Sequence, residues 1–268
     1  MSLGSCCVSG AKHDGTPVGS IKQIGGVTTY VSLPTDEFDK STAVLFLPDV
    51  FGLELPNAKL LADSFAANGF ATYIPDYFNG TALPADALND GTFDIMAWLG
   101  THGQDVTRPI LDKFIAGLKA DGITNFGATG YCFGGRYVAD LAISNEIKVA
   151  VVAHPSLLKV PDDLEAIKAS FKGPFLWNVA EKDYMFTYAA ADAADKVFGD
   201  SKNCTQHSSK PRTGRGFIDI ILPFADKRID YPGCDHGFAV RADLTKPEVK
   251  EGKEKCFDET IKFFKANL

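Results

Sequence analysis

The residues best suited to chemistry lie in one short stretch, Gly130-Tyr131-Cys132-Phe133-Gly134-Gly135. A thiol with glycines two positions before and after it matches the nucleophile elbow, G-x-nucleophile-x-G, in which a strand turns sharply into a helix. Strand and helix approach so closely there that side chains at the flanking positions would clash, and the nucleophile itself occupies strained backbone. A helix starting directly after Cys132 would aim its free N–H groups and positive dipole end at the sulfur. That favours a thiolate and offers the Phe133 N–H as an oxyanion donor. The flanks agree, with an apolar lead-in from Thr124 and helical spacing from Arg136 to Ala142. The competing reading is a small buried cysteine in an ordinary glycine turn. Partners elsewhere in the chain must decide between them.

Two partners are placed to do so. Asp183 follows an expected strand over 174–180, and His236 sits in Gly-Cys-Asp-His-Gly near the end of the chain. Nucleophile, acid, histidine is the chain order of α/β-hydrolases. In that arrangement His236 takes the thiol proton and later assists water attack on a thioester. Asp183 fixes the imidazole tautomer and stabilises the imidazolium. A second oxyanion donor is expected from the loop after an early strand, at Val50. Taken singly, Asp183 could be a helix cap and His236 an idle loop residue. Three such residues in this order, each at a strand's C-terminal end, favour a Cys132–His236–Asp183 triad.

The elements needed to position them can be read in order. Residues 1–20 are polar and glycine-rich, an expected N-terminal arm. Strands are expected over Gly25–Leu33, Thr42–Pro48, Phe70–Asp76, Thr124–Tyr131, Lys148–Ala153, Pro174–Ala180 and Phe217–Phe224, from β-branched, aromatic or continuous apolar runs. Helices are expected over Asn57–Asn68, with Gly69 as its stop, over 92–100 and 105–120, after Cys132, from Pro161, over 187–198 and over 247–266. The loop over 81–90 is the expected lid, 200–215 a surface loop carrying Lys210, Arg212 and Arg215, and Tyr231–Phe238 a turn-rich loop. Strands alternating with helices imply one α/β domain over 1–268, a doubly wound, mostly parallel sheet with helices on both faces.

Bulk properties exclude other classes. A hydrophobic content of 45% with 23% charged residues suits a globular protein with a sizeable core. The net charge of −7 argues against nucleic acid or an anionic membrane as partner. The opening residues lack a basic segment followed by an apolar one, so a cytoplasmic location is expected. Six cysteines, at 6, 7, 132, 204, 234 and 256, are too dispersed for a compact disulfide framework. Cys6, Cys7 and His13 do not complete a tetrahedral ligand set, so no metal is expected.

Gly130-Tyr-Cys-Phe-Gly-Gly, the Asp183 loop and Asp235-His236-Gly-Phe-Ala together resemble the dienelactone hydrolase (carboxymethylenebutenolidase) family. The opening Cys6-Cys7-Val-Ser-Gly and the stretch Ala153-His154-Pro155-Ser156 resemble its fungal branch, and the similarity runs along essentially the whole chain. The resemblance implies an α/β-hydrolase fold, no metal or organic cofactor, and hydrolysis of an enol-lactone or related activated ester. The family typically carries a glutamate in E-x-F-G that helps ionise the thiol. Here Asp49-Val-Phe-Gly stands in that place, one methylene shorter. Arg241 resembles the family arginine that binds the substrate carboxylate, displaced by one position.

Chemistry narrows the substrate independently. A thiolate adds readily to a carbonyl but also leaves readily, with a free thiol pKa of about 8.5. Enolate, phenolate and thiolate leaving groups compete with it, whereas alkoxides and amines compete poorly. The expected substrate is a small lactone or activated ester. Tyr77, Phe78, Trp98, His154 and Tyr184 suggest an apolar, aromatic pocket, against the commoner reading of such residues as ordinary core, and the expected assembly is a monomer or homodimer. A thioesterase or secondary-metabolite tailoring enzyme on the same fold stays open as an alternative, as does a binding protein that has kept the fold.

Overall fold

The computed structural model describes residues 14–88, 92–199 and 226–268. Cys6, Cys7, His13 and Cys204, the 200–215 loop with Lys210, Arg212 and Arg215, and the strand expected over 217–224 lie outside the described residues.

The centre of the fold is an eight-stranded sheet of β1 (Ser20–Ile24), β2 (Val27–Ser32), β3 (Thr42–Leu47), β4 (Thr72–Pro75), β5 (Asn125–Tyr131), β6 (Val149–Ala153), β7 (Phe175–Lys182) and β8 (Lys227–Asp235). Their spatial order is β1-β2-β4-β3-β5-β6-β7-β8. The first two junctions are antiparallel and the other five parallel. Parallel strands buried on both faces need continuous apolar runs, and Thr42-Ala-Val-Leu-Phe-Leu shows why. Leu45 and Leu47 enter one core cluster while Val44 and Phe46 enter the other, following the two-residue period of a strand.

Helices cover both faces. Helices α3 (Gln104–Ala120), α4 (Phe133–Ile143), α5 (Asp162–Ser170) and α6 (Tyr188–Phe198) bury Leu111, Phe114, Tyr137, Ile167 and Ala194 against one side. Helices α1 (Pro56–Ala67) and α8 (Pro247–Asn267) bury Leu61, Phe65, Phe257 and Phe264 against the other. The short α2 (Ile95–Thr101) and α7 (Phe238–Arg241) complete the described set. This is the doubly wound α/β-hydrolase arrangement. Among the described residues no helix is long and apolar enough to cross a membrane.

Three expectations are corrected at the margins. Residue 20, assigned to the arm, opens β1, which pairs antiparallel with β2 through a Gly25-Gly26 turn at φ 58° and 77°. Two consecutive positive φ values are what a two-residue hairpin turn matching strand twist demands. Tyr231–Asp235 is not loop but the end of β8, which pairs with β7 up to Lys182 and Asp235 across an irregularity in register. Pro232 is tolerated there because β8 is, among the described residues, an edge strand and spares one side of its backbone from pairing. Finally, α7 follows His236 directly and carries Arg241. The expected lid is partly described: Leu83 is fully buried, and its N–H donates to the Val50 carbonyl at 2.9 Å.

Candidate active site

The elbow is built by strand, turn and helix packing tightly. Cys132 has φ 51° and ψ −114°, between the last residue of β5 and the first of α4. A Cβ at Gly130 would lie 2.5 Å from the Gly134 carbonyl oxygen, and one at Gly134 would collide with the Leu47 carbonyl of β3. Neither neighbour can yield, because both are backbone. The glycines are therefore a steric condition of the turn. The Cys132 carbonyl accepts from the Gly135 N–H at 3.0 Å and the Ser156 N–H at 2.9 Å, so the strained residue is held from both sides.

Asp183 and His236 meet from the ends of adjacent strands. His236 Nδ1 is 2.9 Å from Asp183 Oδ2. The other carboxylate oxygen accepts from the Met185 and Phe186 N–H groups at 2.8 and 3.0 Å, and the Asp183 side chain is fully buried. A carboxylate with this set of donors has one orientation and one free edge, which faces the imidazole. Burial disfavours the imidazolium, but the Asp183 hydrogen bond and the adjacent Cys132 sulfur favour it more. The His236 pKa is pushed up from 6.5 to about 9.

The other ring nitrogen faces Ser156. Ser156 Oγ is 3.5 Å from His236 Nε2 and 3.4 Å from Cys132 Sγ, so one hydroxyl bridges thiol and imidazole. Sequence reasoning assigned Ser156 no role. Its one signal was its position just beyond a strand, in Ala153-His154-Pro155-Ser156.

The remaining site residues divide into two groups. Phe133 opens α4, whose first-turn amides have no intrahelical acceptor. Val50 follows Pro48, whose oxygen lies close to Gly134 at the start of that helix. Neither the Phe133 nor the Val50 N–H has an acceptor among the described residues. Tyr184 is 80% exposed, with its ring 5.8 Å from that of His236, at the mouth of the site. Tyr77 and His154, by contrast, are fully buried. The Tyr77 hydroxyl donates to the Pro48 carbonyl, and its ring joins Phe78, Phe133 and Tyr137 in a core cluster behind the elbow. His154 packs against His236 and Phe238 at centroid distances of 5.0 and 5.5 Å, and neither of its ring nitrogens has a hydrogen-bond partner among the described residues. Burial, with the neighbouring His236 and Arg241 charges, pushes its pKa well below the ordinary value and keeps it neutral.

Asp49 is placed on Arg241 instead of on the thiol. Its Oδ2 accepts from Arg241 Nε at 2.7 Å and its Oδ1 from the Phe51 N–H at 3.1 Å. The guanidinium also lies over the Phe51 ring, 4.9 Å from its centroid. A Cβ on Gly237 would come 2.9 Å from Arg241 Nη2, so the guanidinium rests against the residue next to His236.

A cysteine on a strained elbow, a buried Asp–His pair at the ends of β7 and β8 and this strand order define the α/β-hydrolase class. Comparison with known proteins narrows it. The dienelactone hydrolase family model matches residues 27–219, and the chain belongs to that family. It is 35% identical to Hydrolase pyvD of Aspergillus violaceofuscus, over 98% of this chain and 96% of that one. It is 33% identical to Dienlactone hydrolase 1 of Gibberella moniliformis, over 94% and 89%. Among solved structures, a dienelactone hydrolase-like promiscuous phosphotriesterase from metagenomic libraries superposes with a TM-score of 0.61 at 17% identity, covering 93% of this chain and 99% of that one. The protein is a hydrolase of the carboxylic ester or lactone type, acting on small molecules.

Proposed function

We propose that this hydrolase opens an enol-lactone or another activated ester through Cys132, His236 and Asp183, with a thioester acyl-enzyme on Cys132. The observation that carries the reading is His236, bonded to buried Asp183 on one ring nitrogen and facing the thiol side on the other. An imidazole whose pKa is pushed up to about 9 is a base strong enough to take a proton from the thiol side. The thiolate attacks the carbonyl carbon, and the developing oxyanion is received by the Phe133 and Val50 N–H groups. The imidazolium then protonates the leaving enolate or phenolate. In the second half His236 removes a proton from water, which attacks the thioester and releases Cys132.

Arg241 is suited to a substrate carboxylate. Asp49 and the Phe51 ring fix its guanidinium beside the residue following His236, and a held guanidinium binds carboxylates well. In this assignment Asp49 orients Arg241 and does not ionise the thiol. Tyr184 covers the exposed side of the substrate.

Hydrolysis of p-nitrophenyl acetate and a dienelactone by wild type, Cys132→Ser and His236→Ala tests the reading, with mass spectrometry of the quenched enzyme. Turnover lost in both variants, and one acetyl group on the Cys132 peptide of the wild type, are expected. Full activity in His236→Ala, or a wild-type Cys132 peptide that carries no acetyl group, would refute it.

A further inference from the structure

The thiol and the imidazole of this site are in hydrogen-bond contact with each other, and both also face a third side chain. Ser156 Oγ lies 3.4 Å from Cys132 Sγ and 3.5 Å from His236 Nε2, and Ser156 is buried. A hydroxyl is donor and acceptor at once, so it can accept from one neighbour while donating to the other. Its position is fixed by backbone: the Ser156 N–H donates to the Cys132 carbonyl at 2.9 Å, and Pro155 packs on Gly135 of α4. The residues around it hold conformations that side chains rarely adopt, His154 at φ 40° and Leu157 at φ 64°. Such strain persists only where surrounding contacts impose it. Here its result is to deliver one hydroxyl between the two reacting groups.

We propose that Ser156 is a catalytic proton relay between Cys132 and His236, resting on the triad reading above. The Sγ–H bond breaks as its proton passes to Ser156 Oγ, while the hydroxyl's own proton passes to His236 Nε2. The electron pair of the S–H bond stays on sulfur, the serine ends as it began, and the imidazolium holds the transferred proton. The re-formed hydroxyl then donates to the thiolate. The Oγ–Nε2 separation of 3.5 Å is long for a hydrogen bond, and catalytic hydrogen bonds that are long without substrate commonly tighten in the Michaelis complex.

The test is the pH dependence of Cys132 alkylation by iodoacetamide, with the burst of p-nitrophenolate from p-nitrophenyl acetate, in wild type and Ser156→Ala. Loss of the relay and thiolate donor is expected to move the alkylation profile about one pH unit upward. Alkylation at pH 7 then slows about tenfold, because only the thiolate reacts, and the acylation burst slows by about 10–100-fold. Ser156→Gly makes the same deletion should the alanine variant fail to fold. An alkylation profile and burst both within threefold of wild type would overturn the relay. His236→Ala separates the two readings: if it is inactive while Ser156→Ala is unchanged, only the relay falls. If His236→Ala remains active, the triad falls with it.

Discussion

Replacing Asp183 by asparagine probes the site with the least change in shape. In the wild type the carboxylate accepts from two backbone N–H groups through Oδ1 and from His236 Nδ1 through Oδ2. An asparagine would keep its carbonyl oxygen on the backbone pair and turn its NH₂ towards the imidazole. Nδ1 then has to accept, the ring proton moves to Nε2, and His236 can no longer take a proton from the thiol side. The expected loss in kcat is roughly 10³–10⁴-fold, typical of a wrong tautomer at an otherwise intact triad. The same change removes the main support of the imidazolium. Moving the His236 pKa from 6.5 to about 9 favours the charged form by about 3 kcal/mol. The folded-state value is the raised one, so this stability is fully present below pH 6.5 and is lost as pH rises through 9. Thermal melts of wild type and Asp183→Asn between pH 5 and 10 should therefore converge at the alkaline end, with p-nitrophenyl acetate hydrolysis measured alongside. A variant keeping a tenth of wild-type kcat, or a melting difference independent of pH, would refute the reasoning.

Gly134→Ala drives a methyl group into the Leu47 carbonyl; a stability loss of about 1–3 kcal/mol in urea unfolding is expected, and a midpoint equal to wild type would show that the elbow can relax. Arg136→Met strands the partly buried Asp140 and Asp163 carboxylates that the buried guanidinium pairs, which should cost about 3–5 kcal/mol by denaturant titration. Asp49→Asn with Arg241→Met removes the proposed carboxylate anchor without leaving Asp49 charged and unpaired. KM for an anionic dienelactone should rise about 10–100-fold, with KM for p-nitrophenyl acetate nearly unchanged. Equal changes for both substrates would take Arg241 out of carboxylate binding.

The parts of this molecule legible in sequence are those whose causes are local. Gly130, Gly134 and the apolar flanks announce the elbow because a steric condition two residues away needs no distant partner. The parallel strands are equally plain, since double-sided burial leaves continuous apolar runs such as Thr42–Leu47. Asp183 and His236 could be placed by position alone, each at the end of a strand in an ordered sheet. What could not be read depends on distant or marginal contacts. Asp49 meets Arg241 across 192 residues, and nothing near either residue signals the other. Edge strands carry weak patterns because half their surface is solvated: β1 is mostly exposed, and Pro232-Gly233 in β8 reads as a turn. Aromatic character alone leaves pocket and core open for Tyr77 and His154, and both are fully buried.

Backbone strain links the legible and the hidden parts. Five non-glycine residues among those described have positive φ, and three of them are Cys132, His154 and Leu157. The first is predicted by its glycines, whereas the other two have no local mark, and a leucine there is a real outlier. They flank Ser156, whose N–H and hydroxyl both contact Cys132. A relaxed loop after β6 would release that contact, so the strain at 154–157 and the strain at the elbow serve one geometry. Conformations of this kind cost about 1–3 kcal/mol each. The two strained segments lean on each other, through Pro155 against Gly135 and the Ser156 N–H against the Cys132 carbonyl. The thiol is thus held in place before any substrate arrives, and relaxing either segment alone would displace the other.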